Sequence, residues 1–362
     1  MQETGYLVQN NRSIVRMSWF LSFVFFCNVG AELLLCQPRL EAPIHALLSQ
    51  GIDLTLRQQY PQADSVFRIM ARRFPGNPAG YLYQAAVLQT RSIDFEIPID
   101  QTPFDSLLEI GIEASNKLIE QGESQWGSYF LGTAYGYDAY ARAERGDWFG
   151  GVRKGLSAAT EFERVIEKDS TFFDAYVGAG TYYYWKSRKT EFLHWLPFIV
   201  DNRPLGVRML QECARKGEYN RFASVSALIS TYLDMEDYVR AEEWSRWALE
   251  QYPDNRIFLW GLSTSLHKLQ RFRDAASVYE TLLNNTVAAG MGNPYNEIVC
   301  RLSLVGCRLA ANDTSGVRDE IRTILSFERA QFPQKFGNRA KQKFSAAREI
   351  GKRFGIVAPA DR

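Results

Sequence analysis

Histidine is scarce in this chain: only His45, His194 and His267 occur among 362 residues, widely separated, and no cysteines are spaced Cys-x-x-Cys. That excludes a zinc site built from ligands close together in sequence. There is no Gly-x-x-x-x-Gly-Lys-Ser/Thr loop and no Gly-x-Ser-x-Gly elbow, so the usual signatures of phosphate binding and acyl transfer are missing. Gly178-Ala179-Gly180 lacks the third glycine of a dinucleotide fingerprint and follows no strand pattern, which leaves helix packing as its explanation. An excess of one charge is missing too, since 42 basic side chains face 41 acidic ones. No nucleic-acid partner is therefore expected. After Cys36 only Cys213, Cys300 and Cys307 remain, too few for a disulfide scaffold. Cys300 and Cys307 stand on one helix about 10.5 Å apart along its axis, beyond disulfide reach, so they read as buried thiols. No metal, no cofactor and no catalytic set is expected, and the chain reads as a non-enzyme.

A long apolar run is also absent. The longest near the start, Trp19-Phe20-Leu21-Ser22-Phe23-Val24-Phe25-Phe26-Cys27, falls short of the ~20 residues a membrane span needs. Arg12 and Arg16 precede it, and Val29-Gly30-Ala31 supplies small residues for cleavage, so residues 1–31 are expected to be a secretory signal and 32–43 a linker. The mature chain is then exported: periplasmic or envelope-associated, or extracellular. Met17 is an alternative start. Leu33-Leu34-Leu35-Cys36 departs from a lipoprotein box because Leu35 is large just before the cysteine, which leaves lipidation of Cys36 as the lesser alternative.

What the chain does have is a repeat. Leu228, Tyr238, Ala241 and Leu249 stand 34 residues before Leu262, Phe272, Ala275 and Leu283. The period and the helical spacing of the apolar residues describe a helix-turn-helix unit that buries its apolar face only by stacking on neighbours. The unit from Phe222 resembles a tetratricopeptide (TPR) repeat in Leu228, Tyr232, Tyr238, Ala241, Ala248 and Pro253. The next, from Arg256, matches in Leu259, Leu262, Leu266, Phe272, Ala275 and Tyr279, and an early unit from Ile44 in Leu47, Gly51, Leu54, Tyr60, Ala63, Phe67 and Pro75. The resemblance implies an all-α, right-handed α-solenoid of about seven helix pairs over residues 44–330. A capping helix near 335–354 and a tail would complete residues 331–362.

The middle of the array is stretched. In a standard unit the eleventh-position aromatic precedes the twentieth-position alanine by nine, whereas Tyr135 to Ala158 and Tyr183 to Gly206 each span 23, which is 14 more. Seven residues per helix is nearly two turns and restores the packing phase. The first case is therefore expected to be a longer hairpin with its tip at Arg145-Gly146-Asp147-Trp148. In the second, Pro197 and Pro204 break the helical pattern, so loop or short helix is expected there. Residues 92–103, with Pro98 and Pro103 and alternating polarity, are expected to form an extended loop carrying solvated Asp94, Glu96 and Asp100.

In the TPR family the first helix of each unit lines a concave groove, mainly through its second, fifth, ninth, twelfth and thirteenth positions. Carried onto this sequence, the groove set is Trp126, Tyr129, Thr133 and Tyr137; then Asp174, Val177, Thr181, Tyr184 and Trp185; then Trp260, Thr264, His267 and Lys268. Rings with hydroxyl or indole handles suit a peptide ligand, so the expected function is an adaptor for a protein or peptide partner. The apolar stretch from Phe192 to Val200, or a lipidated Cys36, supplies an alternative: a membrane-associated accessory subunit of an envelope assembly or transport system. The segment 174–210 also loosely resembles tetratricopeptide family 39 in Gly178, Gly180, Leu196-Pro197, Asp201, Arg203 and Gly206.

Overall fold

The computed structural model describes residues 37–193, 200–290 and 294–356. The expected signal and Cys36 lie outside the described residues, as do positions 194–199 of the apolar stretch. From Arg39 on, helices follow one another in pairs: α1 (Ala42–Leu56) with α2 (Tyr60–Arg73), α3 (Ala79–Phe95) with α4 (Gln101–Glu120), and α5 (Ser124–Glu144) with α6 (Trp148–Lys168). Next come α7 (Ala175–Lys189) with α8 (Arg203–Lys216), α9 (Arg221–Asp234) with α10 (Tyr238–Gln251), α11 (Arg256–Lys268) with α12 (Phe272–Ala289), α13 (Tyr295–Ala310) with α14 (Val317–Ser326), and a final α15 (Gln334–Arg353). Each helix packs on its sequence neighbours, and no strand occurs among the described residues. This is the all-α solenoid of helix pairs that the 34-residue unit implies.

Local chemistry sets the joints. Proline sits in the first turn of α1, α2 and α8, where its missing N–H costs no hydrogen bond. The turn inside several pairs passes through one left-handed residue, among them Gln58, Glu236, Gln270 and Gly146, and Gly122 takes the same conformation between α4 and α5. Glu236 and Gln270 are one repeat apart, so the turn conformation repeats with the sequence.

The stretched hairpin has the expected form. Helices α5 and α6 are 21 residues each, against 14 in each of α9 and α10, so each gained seven. Gly146 turns the chain at φ +85°, and Asp147 caps α6 by accepting from the Gly150 N–H at 2.9 Å. In the α7/α8 pair the helices keep 15 and 14 residues, and the extra length lies in their connection. There a Cβ on Gly206 would stand 2.6 Å from the Gly180 carbonyl oxygen, so the two backbones meet where only glycine fits.

The expected loop at 92–103 is corrected. Helix α3 continues to Phe95, and only residues 96–100 link it to α4. Phe95 is buried and Ile97 and Ile99 pack partly buried against the same core, while Ile93 is exposed. Asp94 is buried as well, paired with Arg256.

That pairing exposes the main departure from a simple stack, because the array curls until its first hairpins meet its later ones. Tyr252 donates to Asp53 at 3.2 Å, the Asn255 amide donates to the Leu56 carbonyl at 2.7 Å, and the Asn296 amide donates to the Asp94 carbonyl at 2.8 Å. At the other end of α1, His45 Nδ1 lies 2.9 Å from the Tyr219 hydroxyl. The last helix, α15, seals the far end with Phe336, Ala340, Phe344 and Ala347 buried along one stripe.

Candidate functional site

Closure decides what becomes of the expected groove. On α1 the groove-lining positions of the repeat are His45, Leu48, Ile52 and Leu56. His45 meets Tyr219, Leu48 is buried, and Leu56 packs into the apolar cluster of α9 and α10. The inner walls of the array therefore touch one another across the middle.

Three of the sequence-derived groove residues lie in this filled interior. Trp126 is half-buried and packs its ring against Phe172 at 4.7 Å and Tyr129 at 5.6 Å. Tyr129 is buried and its hydroxyl accepts from the Asn220 amide at 2.8 Å. Asp174 is fully buried, and its carboxylate accepts from the backbone N–H of Tyr219 at 3.0 Å and of Asn220 at 2.8 Å. Tyr129 and Asp174 are thus corrected from groove surface to core. Position in the repeat predicted which way they point, but rings and backbone of other elements, Phe172, Tyr219 and Asn220 among them, cover them. Burial pushes the Tyr129 hydroxyl well above its ordinary pKa, with Tyr83 and Asp174 adding to the shift.

The remaining residues are scattered. Tyr137 is half-buried against the same cluster, and burial raises its hydroxyl pKa. Trp185 meets Tyr184 edge-on at 5.2 Å, and Trp260 meets Tyr279 at 6.0 Å. His267 Nδ1 lies 3.2 Å from the Cys307 sulfur; burial, and then neighbouring Lys268, lowers its pKa, so it is neutral near neutrality. These groove candidates do not form one continuous surface.

An open site is found elsewhere, along α8. A cavity of about 830 Å³ is lined by Tyr184, Arg188, Glu191, Asp201, Arg203, Pro204, Val207, Arg208, Gln211, Asp234, Met235 and Arg240. A second, of about 450 Å³, shares Gln211 and Arg240 and adds Ala214, Arg215, Tyr232, Glu243, Trp244 and Trp247. The shared residues join them into a cleft whose floor is one stripe of α8: Pro204, Val207, Arg208, Gln211, Ala214 and Arg215, at helical spacing. Tyr184 is the one sequence-derived site residue here. It is buried, and its hydroxyl donates to Asp234 at 2.6 Å; burial and that carboxylate push its pKa up, so it remains a donor.

The cations of the cleft divide into two kinds. Arg188 donates to Asp234 at 2.8 Å and reaches Glu191 at 2.5 Å; Arg203 reaches Asp201 at 2.7 Å and Glu191 at 3.3 Å. Arg240 pairs with Asp237 at 3.4 Å and lies over the Tyr232 ring. Arg208 and Arg215, both exposed, have no ion-pair partner among the described residues. Trp244 and Trp247 stand edge to face at 5.9 Å, and Trp247 is partly exposed. The α8 stripe was readable as helical spacing, but that it lies uncovered and that two of its arginines are unpaired was not.

No protein-family model matches the chain, tetratricopeptide family 39 included, and no curated protein matches it. Among solved structures, similarity is found to TTC0263, a thermophilic TPR protein of Thermus thermophilus, at 17% identity and a TM-score of 0.38, over 62% of this chain and 98% of that one. It is also found to the TPR domain of P58(IPK), at 13% identity and a TM-score of 0.21, over 87% and 90%. The fold is TPR-like. Its own features carry that description: consecutive helix pairs, the 34-residue turn spacing, and small residues such as Gly51 against Phe67 where paired helices cross.

Among the described residues no helix is long and apolar enough to cross a membrane. Of the apolar stretch offered as a membrane contact, only its flanks are described on their surfaces, with Phe192 and Val200 both exposed.

Proposed function

We propose that the protein is a non-catalytic, exported scaffold that holds an extended segment of a partner protein in the cleft along α8. The observation that carries this reading is the pair of unpaired arginines, Arg208 and Arg215, on the floor of a cleft whose other cations are already neutralised by carboxylates. Seven residues of helix separate them by about 10.5 Å, which is spanned by about three residues of extended peptide. The suited ligand has two carboxylates about three residues apart and an apolar residue beyond them, which packs against Trp244 and Trp247. The fixed fork of arginine favours carboxylate recognition.

The test is an array of immobilised peptides that differ only in the separation of two acidic residues, probed with wild type and with Arg208→Glu/Arg215→Glu. Wild type is expected to prefer a separation near three, and the reversed cleft to lose binding by about tenfold or more. Binding unchanged by the reversal contradicts the cleft assignment. Export rests on the pattern of residues 12–31. The intact mass of the chain isolated from cells is expected to begin near residue 32, and a mass that includes residues 1–31 contradicts it.

A further inference from the structure

We infer that the tip of the α5–α6 hairpin is an interfacial contact with an anionic lipid surface. On α6, Trp148, Phe149, Val152 and Leu156 are 65%, 94%, 70% and 52% exposed. Their spacing places them on one side of the helix, so they form a continuous apolar ridge rather than scattered surface residues. The two additional turns of each helix carry this ridge beyond the length of the ordinary pairs. The ridge is convex and lines neither of the cavities described above. A protruding Trp-Phe pair suits a fluid interface, which needs no complementary socket.

Charge at the same end favours an anionic surface. A Cβ on Gly155 would meet the Tyr182 ring and one on Gly178 would meet the Phe162 ring, so α7 runs antiparallel to α6. Its carboxyl end, with exposed Lys186 and Lys189, therefore points towards Trp148. Among the described residues Lys189 has no ion-pair partner, Arg153 makes no direct ion pair but joins Arg142 in stabilising the Asp147 carboxylate, and Lys186 lies over the Tyr182 ring. The nearby acids are largely neutralised: Asp147 by Arg142, and Glu191 by Arg188 and Arg203. Glu144 at the end of α5 stands against the cations, which still outnumber it. Each cation near such a surface adds attraction that salt screens. This inference does not rest on the α8 cleft.

The test follows amide hydrogen exchange in the full-length chain, with vesicles of phosphatidylcholine alone or mixed with phosphatidylglycerol. This readout is local, so a contribution from the amino-terminal apolar segment does not obscure it. Amides of residues 145–153 are expected to slow about threefold or more with the phosphatidylglycerol vesicles only. Trp148→Ser/Phe149→Ser, which removes exposed side chains and leaves the fold intact by circular dichroism, is expected to weaken that response about tenfold in lipid concentration. Arg153→Glu is expected to weaken it in the same direction. No slowing at the tip, or a response unchanged in the double variant, overturns the inference. Slowing that follows protein concentration without lipid also overturns it, because a second copy then occupies the ridge.

Discussion

Replacing Arg256 with alanine is expected to destabilise the protein by about 3–5 kcal/mol, because it leaves a buried carboxylate without its counter-charge. The Asp94 side chain is 1% exposed. Its Oδ1 accepts from Arg256 Nε at 2.9 Å, its Oδ2 also accepts from the guanidinium, and the Tyr60 hydroxyl donates to Oδ2 at 2.7 Å. Burial, and then the carboxylate beside it, push the Tyr60 hydroxyl far above its ordinary pKa, which keeps it a donor. The guanidinium also lies over the Phe95 ring at 5.1 Å. Asp94→Ala should cost a similar amount, because it strands the guanidinium instead. Asp94→Leu/Arg256→Met should recover much of either loss, since an apolar pair of similar volume needs no compensation in the interior. Urea unfolding with a common slope measures all three. A loss below about 1 kcal/mol in either single variant would mean that the pair is hydrated in solution.

Asp174→Ala is the second large effect, expected at about 3 kcal/mol or more. Its carboxylate is the acceptor for two consecutive backbone N–H groups at the joint between α8 and α9, and both lose their partner inside the filled interior. Asp174→Asn keeps one side-chain oxygen and is expected to cost roughly half as much. Equal losses in the two variants would assign the effect to charge rather than to the acceptors. Tyr219, whose hydroxyl is pushed up to about 12 mainly by burial, completes the same joint by accepting from the Leu40 N–H at 3.2 Å.

Both positions show where sequence reading succeeds and where it stops. The helix pairs were legible because their causes are local: apolar spacing, small residues at crossings such as Ala241 and Ala275, and turn residues one repeat apart. The α5–α6 tip was legible for the same reason, since Gly146 and Asp147 act within a few residues. Asp94 was misread because its local pattern is that of a polar loop, while the group that makes its burial tolerable lies 162 residues away. Tyr129, on α5, and Asp174, at the start of α7, were placed on the correct side of the array. What covers them comes from other pairs, and no local signal predicts how tightly the array curls. The cleft was missed because an unpaired arginine differs from a paired one only in what surrounds it.

Closure of the array is also what separates this protein from a linear stack, in which each repeat feels only its neighbours. Native-state hydrogen exchange on Arg256→Ala tests it directly. Closure predicts that amides in α1 and α3 lose protection together with those in α11 and α13, while α5 and α6 keep theirs. Loss confined to α11 and its immediate neighbours α10 and α12, with α1 and α3 unchanged, would contradict it.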